Sequence, residues 1–246
     1  MTEIVFDKYQ KKGAYHWIEC FGPVHRRNAY TIGRYNCVLE ALKKAGIGSG
    51  DKVLDVGCGD AALSGLVAMK LGASISGVDT ESLSIELARG EFAKRRLNGE
   101  FTIIDGYRYP AGDGSVRAVI CSDVIEHVQQ PEAMLKEMWR VLAPGGVLVV
   151  TTPVRYTEHP LDRMHVQEWF PSEFEALSSK TLGVPVNLEL SHPVALAEAY
   201  ASPRPVLGRV SRLAINVLAR LGWNPFKTTH GFRAFSTQTV IARKSP

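Results

Sequence analysis

Between Lys52 and Thr151 the chain alternates short apolar runs with stretches in which apolar residues recur every three or four positions. The short runs, at 53–56, 74–78, 101–104, 116–121 and 147–151, have the length and composition of buried strands. The periodic stretches carry Leu63, Leu66, Val67 and Leu71, then Leu83, Ile85, Leu87 and Ala88, then Met134, Leu135, Met138, Val141 and Leu142. Each predicts a helix with one apolar face. Strands alternating with helices at this spacing imply right-handed crossovers and a parallel sheet covered on both faces. Upstream, Tyr35, Val38, Leu39, Leu42 and Ala45 predict one more helix, ended by Gly46, Gly48 and Gly50. Residues 1–13 read as loose, and 15–34 mix aromatic and basic residues without a clear period.

Beyond Thr152 the rhythm changes. Residues 153–170 read as a loop rich in ionisable side chains, and Pro171, Ser172 and Glu175 read as a capping-box start for a helix through Leu177. A strand is predicted over 184–190 and a helix over 206–221. The polar–apolar alternation of 236–243 predicts a half-exposed antiparallel edge strand. The whole reads as one domain: an N-terminal helical lid (1–45), a core (46–152), substrate-side insertions (153–235) and the final edge strand (236–243).

Composition changes this picture little. The 246 residues are 45% apolar and 22% charged, which is ordinary for a globular chain with a sizeable core. A formal charge of +4 without a Lys/Arg run gives no phosphate-tracking stripe, so nucleic acid is not expected as a partner. Cys20, Cys37, Cys58 and Cys121 are scattered without metal-type spacing, which predicts reduced thiols and no metal site. With no signal-type or membrane-length apolar segment in view, a cytoplasmic location is expected.

The chemistry concentrates at 52–65, KVLDVGCGDAALSG. An apolar strand delivers Asp55 to its end, Gly57 and Gly59 allow a tight turn, and a helix starts at once. Such a turn brings backbone close to a ligand and offers a helix N-terminus to its polar groups. The same glycines also satisfy G-x-G-x-x-G/A, with Asp79 where a nicotinamide-dependent enzyme keeps its ribose-binding acid. Three features favour a different ligand. A carboxylate at Asp55 repels a pyrophosphate and attracts an ammonium group. Asp105-Gly106 closes the third predicted strand, where a carboxylate can accept from an adenine amino group. Ser122-Asp123 through His127 follows the fourth, and Pro144-Gly145-Gly146 leads into the fifth.

The ordered series DVGCG, GVD, IIDG, CSDVIEHV and LAPGGVLVVTTP resembles the class I S-adenosylmethionine-dependent methyltransferases, with the ubiquinone-pathway and similar O- and C-methyltransferases the nearest branch. The likeness covers about residues 34–153; Ala61 departs from it, standing where many members have a third glycine. It implies an α/β, Rossmann-like class I methyltransferase fold: a mainly parallel seven-stranded sheet, helices on both faces and an antiparallel C-terminal edge strand. It also implies S-adenosylmethionine as cofactor. Asp55, Gly57 and Gly59 would hold the methionine end, Asp79 the ribose and Thr80 the adenine face. Asp105 and Gly106 would meet the adenine edge, and Ser122 and Asp123 would flank the sulfonium.

Methyl transfer to oxygen needs a base as well as alignment, and histidine suits neutral pH. His127 and His165 are the candidates. Tyr156 and His159 in the same variable loop, and Tyr15, His16, Trp17 and Arg34 upstream, are candidate substrate or lid contacts. The expected activity is methyl transfer to a small-molecule or glycan acceptor, at oxygen. A nicotinamide-dependent oxidoreductase and a non-catalytic methyltransferase-like partner protein remain as alternatives. The predicted helix over 206–221 sets Val206, Val210, Leu213, Val217 and Leu221 in one stripe, with Arg209, Arg212 and Arg220 towards the other side. Two readings are open: a helix packed on its own domain, or a peripheral membrane contact. Acceptor identity and oligomeric state have no signature in the sequence.

Overall fold

The computed structural model describes residues 7–160 and 162–246. Two short helices come first, α1 (Lys8–Lys12) and α2 (Tyr15–Phe21), followed after a single 3-10 turn by α3 (Ala29–Lys44). The core then runs β1 (Lys52–Val56), α4 (Ala62–Leu71), β2 (Ser74–Asp79), α5 (Ser82–Lys94), β3 (Gly99–Ile103), β4 (Val116–Ser122), α6 (Pro131–Val141) and β5 (Leu142–Pro153). The remainder is α7 (Pro171–Leu182), β6 (Asn187–Pro193), α8 (Val194–Tyr200), α9 (Pro205–Arg220) and β7 (Phe235–Arg243).

One seven-stranded sheet has the order β3-β2-β1-β4-β5-β7-β6. Its first five members pair in parallel, and β7 pairs antiparallel with both neighbours. The chain builds outward from β1 through β2 to β3, then returns to lay β4 on the other side of β1. That reversal leaves a crevice at the carboxyl ends of β1 and β4, the place where open α/β sheets bind ligands. The interior residues of β1 and β4 are almost wholly buried because helices cover both sheet faces. On one face Trp17, Leu42, Ile75, Phe92 and Ile120 pack into a single cluster with residues of α2 to α5. On the other, Leu54, Val119, Met138, Leu148 and Phe174 pack with α6 and α7.

Several predicted features differ from the structure. Residues 8–12 are helical rather than loose, and 15–34 contain α2 and the start of α3, capped by the Asn28 side chain. Trp17 is held at the first βα turn while Tyr30 reaches Ser236 and Thr237 of β7, so no single period arises. The last strand is not an edge: β7 lies between β5 and β6, and β6 is the edge. Its alternating polar residues are buried, not solvated. Gln238, fully buried, donates through Nε2 to the carbonyls of Pro153 (3.0 Å) and Trp169 (2.9 Å). The α7 start uses Phe170 as its N-cap, with Glu173 accepting the Phe170 N–H at 3.0 Å, in place of Ser172 and Glu175. β6 begins three residues later than predicted, and α8, with only Tyr200 buried, had no apolar face to announce it.

A Cβ added at Gly65 on α4 would come within 2.1 Å of the Trp17 ring, which is itself 2% exposed. Gly65→Ala should therefore lower stability by about 1–3 kcal/mol despite the better helix propensity of alanine. Urea denaturation should show a lower midpoint at unchanged slope, and adding Trp17→Phe should recover part of the loss.

Candidate active site

The site is assembled from the carboxyl ends of β1, β2 and β4. Asp55, the penultimate residue of β1, is 2% exposed and accepts a 2.6 Å hydrogen bond from the Ser64 hydroxyl on α4. Burial pushes its carboxyl up to about 7, against the opposing pull of the Ser64 bond. The chain then turns through Gly57 and Gly59, both left-handed at φ 70° and 54°. Gly57 and Cys58 donate their N–H groups to the Val78 carbonyl at 2.8 and 3.0 Å, tying the turn to β2. Ala61 is also left-handed, at φ 59°, which accounts for the preference for a third glycine there; alanine bears a cost of about 1–2 kcal/mol.

Asp79 closes the other side of this turn. One carboxylate oxygen accepts the Gly59 N–H at 2.9 Å and the other accepts the Glu81 N–H at 2.9 Å, at the start of α5. It is half-buried, beside exposed Thr80. Asp105 and the exposed, left-handed Gly106 follow β3 at the same rim, and among the described residues the Asp105 carboxylate has no hydrogen-bond partner.

The N-terminal helices sit directly on the turn. The Asp60 carboxylate accepts the His16 N–H at 3.0 Å and lies 3.3 Å from His16 Nδ1. The Asp60 carbonyl accepts Trp17 Nε1–H at 2.6 Å, and the Asp60 N–H donates to the Tyr9 hydroxyl at 3.2 Å. A Cβ at Gly59 would overlap that hydroxyl, at 2.2 Å. Tyr15 packs on His16 with centroids 3.9 Å apart, and the Arg95 guanidinium lies 3.9 Å above the Trp17 ring. Tyr15, His16 and Trp17 are thus brought to the glycine turn. Asp60 and Tyr9, which hold them there, were not singled out in the sequence; Asp60 reads as a loop acid between two small residues.

Beyond β4, Ser122 shares a 2.9 Å hydrogen bond with the Thr151 hydroxyl. Asp123, at φ 54°, accepts from the Thr151 hydroxyl at 3.1 Å and pairs with the Arg34 guanidinium of α3. Arg34 is therefore engaged within the protein, yet among the described residues its Nε is buried without a hydrogen-bond partner, and so is Oε1 of fully buried Glu126, which lies 4.0 Å from His127 Nε2. Burial pushes the Glu126 carboxyl well above the carboxylate range, and the Asp123 charge adds to the shift. Its other oxygen accepts from the Thr152 hydroxyl at 3.0 Å.

The two candidate histidines meet here. The backbone N–H groups of Val166 and Gln167 donate to the Glu126 carbonyl at 2.8 and 3.2 Å, folding the variable loop onto the end of β4. His127 and His165 then pack edge to face with centroids 4.8 Å apart. His127 Nδ1 lies 3.0 Å from the Met164 carbonyl, an acceptor only, so Nδ1 carries a proton and Nε2 is left as the acceptor of the neutral ring. His165 Nδ1 lies 2.5 Å from the carboxylate of Glu168, which is 8% exposed. Nδ1–H donating to that carboxylate leaves Nε2 as the basic nitrogen. Glu168 was also not singled out, although H-x-x-E in a loop that reaches the site carries the signal. Ligand atoms of Glu126, His127 and His165 all lie within 4.8 Å of one another, close enough for a cation, a proximity hidden by the separation in sequence. Tyr156 donates its hydroxyl to the Phe235 carbonyl, and His159 is exposed; among the described residues neither contacts His127 or His165. His192, also missed, is a buried core histidine between Ser191 and the Tyr30 carbonyl, its pKa lowered by burial to about 3.

Residues 54–150 match the methyltransferase domain family. A ubiquinone biosynthesis O-methyltransferase, the mitochondrial protein of Schizosaccharomyces pombe, is 34% identical over 48% of this chain and 44% of its own length. A Mycolicibacterium smegmatis protein named "Probable S-adenosylmethionine-dependent methyltransferase" is 30% identical over 70% of this chain and 66% of its own. The chain thus spans about half the length of the first curated relatives it matches. Among solved structures, the methyltransferase crystallised with the Haloferax volcanii Trm112 activator superposes over 100% of both chains with a TM-score of 0.69 at 17% identity, a likeness of fold. The family match resolves the ambiguity of the glycine turn against a nicotinamide enzyme. With its switch-point crevice, its acid-flanked turn and these relatives, the chain belongs to the class I S-adenosylmethionine-dependent methyltransferases, in a branch like that of the ubiquinone pathway.

Proposed function

We propose that the protein transfers a methyl group from S-adenosylmethionine to an oxygen of a small-molecule or glycan acceptor. The observation that carries the reading is His165, oriented by a buried carboxylate, on the same sheet rim as the Gly57–Gly59 turn. The relatives named O-methyltransferase support oxygen as the acceptor atom. The cofactor, when bound, supplies an electrophilic methyl group on sulfur. The residues present fit it: an acidic, glycine-lined turn, the exposed Asp105 carboxylate at the same rim, and buried Arg34 Nε and Glu126 Oε1 that have no hydrogen-bond partner among the described residues.

In this reading Asp55, Gly57 and Gly59 hold the methionine end, Asp79 and Thr80 the ribose and adenine, and Asp105 and Gly106 the adenine edge. Ser122 and Asp123 line the region of the sulfur. The helices bearing Tyr15, His16 and Trp17 act as the lid that excludes water, and Asp60 fastens it. His165 Nε2 would take the hydroxyl proton of an acceptor whose oxygen gains the methyl carbon as the carbon–sulfur bond breaks with its electron pair left on sulfur, and Glu168 at Nδ1 would stabilise the imidazolium before the proton leaves to solvent. His127 lines the acceptor space with Nε2, and Arg34 holds Asp123 in place. Tyr156 and His159 stay at the outer edge, as contacts for a larger acceptor. The activity is tested by following transfer of tritiated methyl to a panel of phenols, carboxylic acids and sugars. Binding of S-adenosylhomocysteine without transfer to any acceptor, or to nitrogen alone, would favour a non-catalytic partner or a different acceptor atom.

Two further outcomes are expected. His165→Asn should lower kcat by about 10²–10⁴-fold with unchanged S-adenosylhomocysteine affinity, and Glu168→Gln should follow it in direction. A loss confined to cofactor affinity would remove His165 from the chemistry. The Asp55 carboxyl is neutral below its raised value of about 7, and an ammonium group beside it favours the charged form. Cofactor affinity should therefore fall as pH drops below 7, by up to about tenfold per unit. Calorimetry in buffers of different ionisation enthalpy should detect proton release near pH 6.5, and Asp55→Asn should abolish it.

A further inference from the structure

Helix α9 is built the wrong way round for a helix packed on its own domain. Its inward face is centred on polar and small residues, with Ile215 and Ala219 as the apolar members packed towards Ala29, Tyr200 and Phe226. Fully buried Asn216 donates from Nδ2 to the carbonyls of Val24 (3.1 Å) and Arg27 (2.8 Å) and accepts the Ala29 N–H at 3.1 Å. Ser211 donates to the Ala199 carbonyl at 2.6 Å, and a Cβ at Gly208 would lie 2.3 Å from the Ser202 carbonyl. The apolar stripe faces outward. Val206 is 77% exposed, Val210 60% and Leu213 52%, and the stripe continues past the helix into Leu221 at 78% and Trp223 at 61%. A contiguous apolar strip of this kind marks a surface meant to be covered.

Charge identifies what covers it. No Asp or Glu occurs after Glu198, whereas Arg209, Arg212 and Arg220 flank the stripe and are exposed. Beside the helix a surface cleft is lined by Lys11, Lys12, His25, Arg26, Arg27 and Arg212, with Glu19 as its one acidic lining residue. Burial and the nearby Arg220 charge lower the pKa of Arg27; Lys11 pairs with Asp7 at 2.5 Å and Glu19 lies in the cleft, so cations outnumber acids along this edge. A second copy of the same face would set arginine against arginine. An anionic phospholipid surface supplies both missing parts, acyl chains for the stripe and phosphates for the rim. Among the described residues no helix is long and apolar enough to cross a membrane, so the contact would be peripheral.

From this geometry we infer that α9 docks the protein on anionic bilayers, its outward stripe entering the acyl boundary while the adjacent basic cleft takes lipid phosphate groups. The docked edge carries Lys11, Lys12 and Tyr15, so the bilayer lies against the N-terminal helices that cover the glycine turn. The docking stands apart from the methyl-transfer reading, since it needs neither cofactor nor acceptor.

The test is sedimentation of the full chain with phosphatidylcholine vesicles, with and without about one third phosphatidylglycerol, at roughly 0.1 M salt. The protein should pellet with the anionic vesicles, stay in solution with the neutral ones, and be released at 0.5 M salt. Arg209→Glu and Arg220→Glu should each weaken the partition at least about fivefold. Leu213→Asp with Val217→Asp should abolish it while circular dichroism is retained. No binding to anionic vesicles, or equal binding to neutral ones, would overturn the inference, and the salt comparison decides this on the unaltered protein. A dimer in light scattering that Leu213→Asp dissociates, with no vesicle binding, would assign the face to a second copy.

Discussion

The site depends on the way Asp60 fastens the start of the chain to the first βα turn. Its N–H, carbonyl and carboxylate are each engaged, by Tyr9, Trp17 and His16. The residue is 1% exposed, so each of these bonds works in a shielded setting where losing a partner would leave a buried polar group unsatisfied. Gly59 and Gly65 are glycines partly because this docking needs the room: the Tyr9 hydroxyl lies over one and the Trp17 ring over the other. Two short helices with few buried residues of their own are held by that contact, and without it little would keep α1 and α2 ordered.

Electrostatics divide the crevice into two halves. On the β1 side, Asp55 is isolated from water with Ser64 in support through its hydroxyl and its backbone, so it responds strongly to any cation brought near. On the β4 side, Asp123 and Glu126 lie close together, Arg34 compensates the first, and burial pushes the carboxyl of the second well above the carboxylate range. The paired histidines stand at the outer edge of that half, each with Nδ1 held by a fixed oxygen, while Nε2 of His127 lies 4.0 Å from Glu126 Oε1 and Nε2 of His165 lies 3.9 Å from Asp162 Oδ2. Preorganisation of this kind, with side chains held before any ligand arrives, is what methyl transfer requires from a protein.

The inner strands β1, β4 and β5 were legible because strands buried on both faces must be nearly all apolar, and the glycine turn because its acid and glycines are adjacent in sequence. Other parts were hidden for physical reasons. The aromatics of α1 and α2 pack against a turn, which imposes no helical or strand period. Gln238 and its threonine neighbours look solvent-facing in sequence, yet carbonyls from the variable loop and β5 accept from the glutamine Nε2 inside the sheet. Asp60 and Glu168 gain their roles only from partners 43 residues upstream, at Trp17, and three residues upstream in a folded loop. For α9 the stripe itself was plain; its direction was not, because an amphipathic pattern does not say whether the apolar side faces the protein. The inward polar anchor, Asn216, decides that.

The central claim is that the acid-flanked turn between β1 and α4 binds S-adenosylmethionine-type ligands and not a dinucleotide. Titration calorimetry of the unaltered protein with S-adenosylhomocysteine and, separately, with NADH tests it most directly. Saturable one-to-one binding of S-adenosylhomocysteine is expected, with no heat from NADH beyond dilution. Saturable binding of NADH with none of S-adenosylhomocysteine would contradict it.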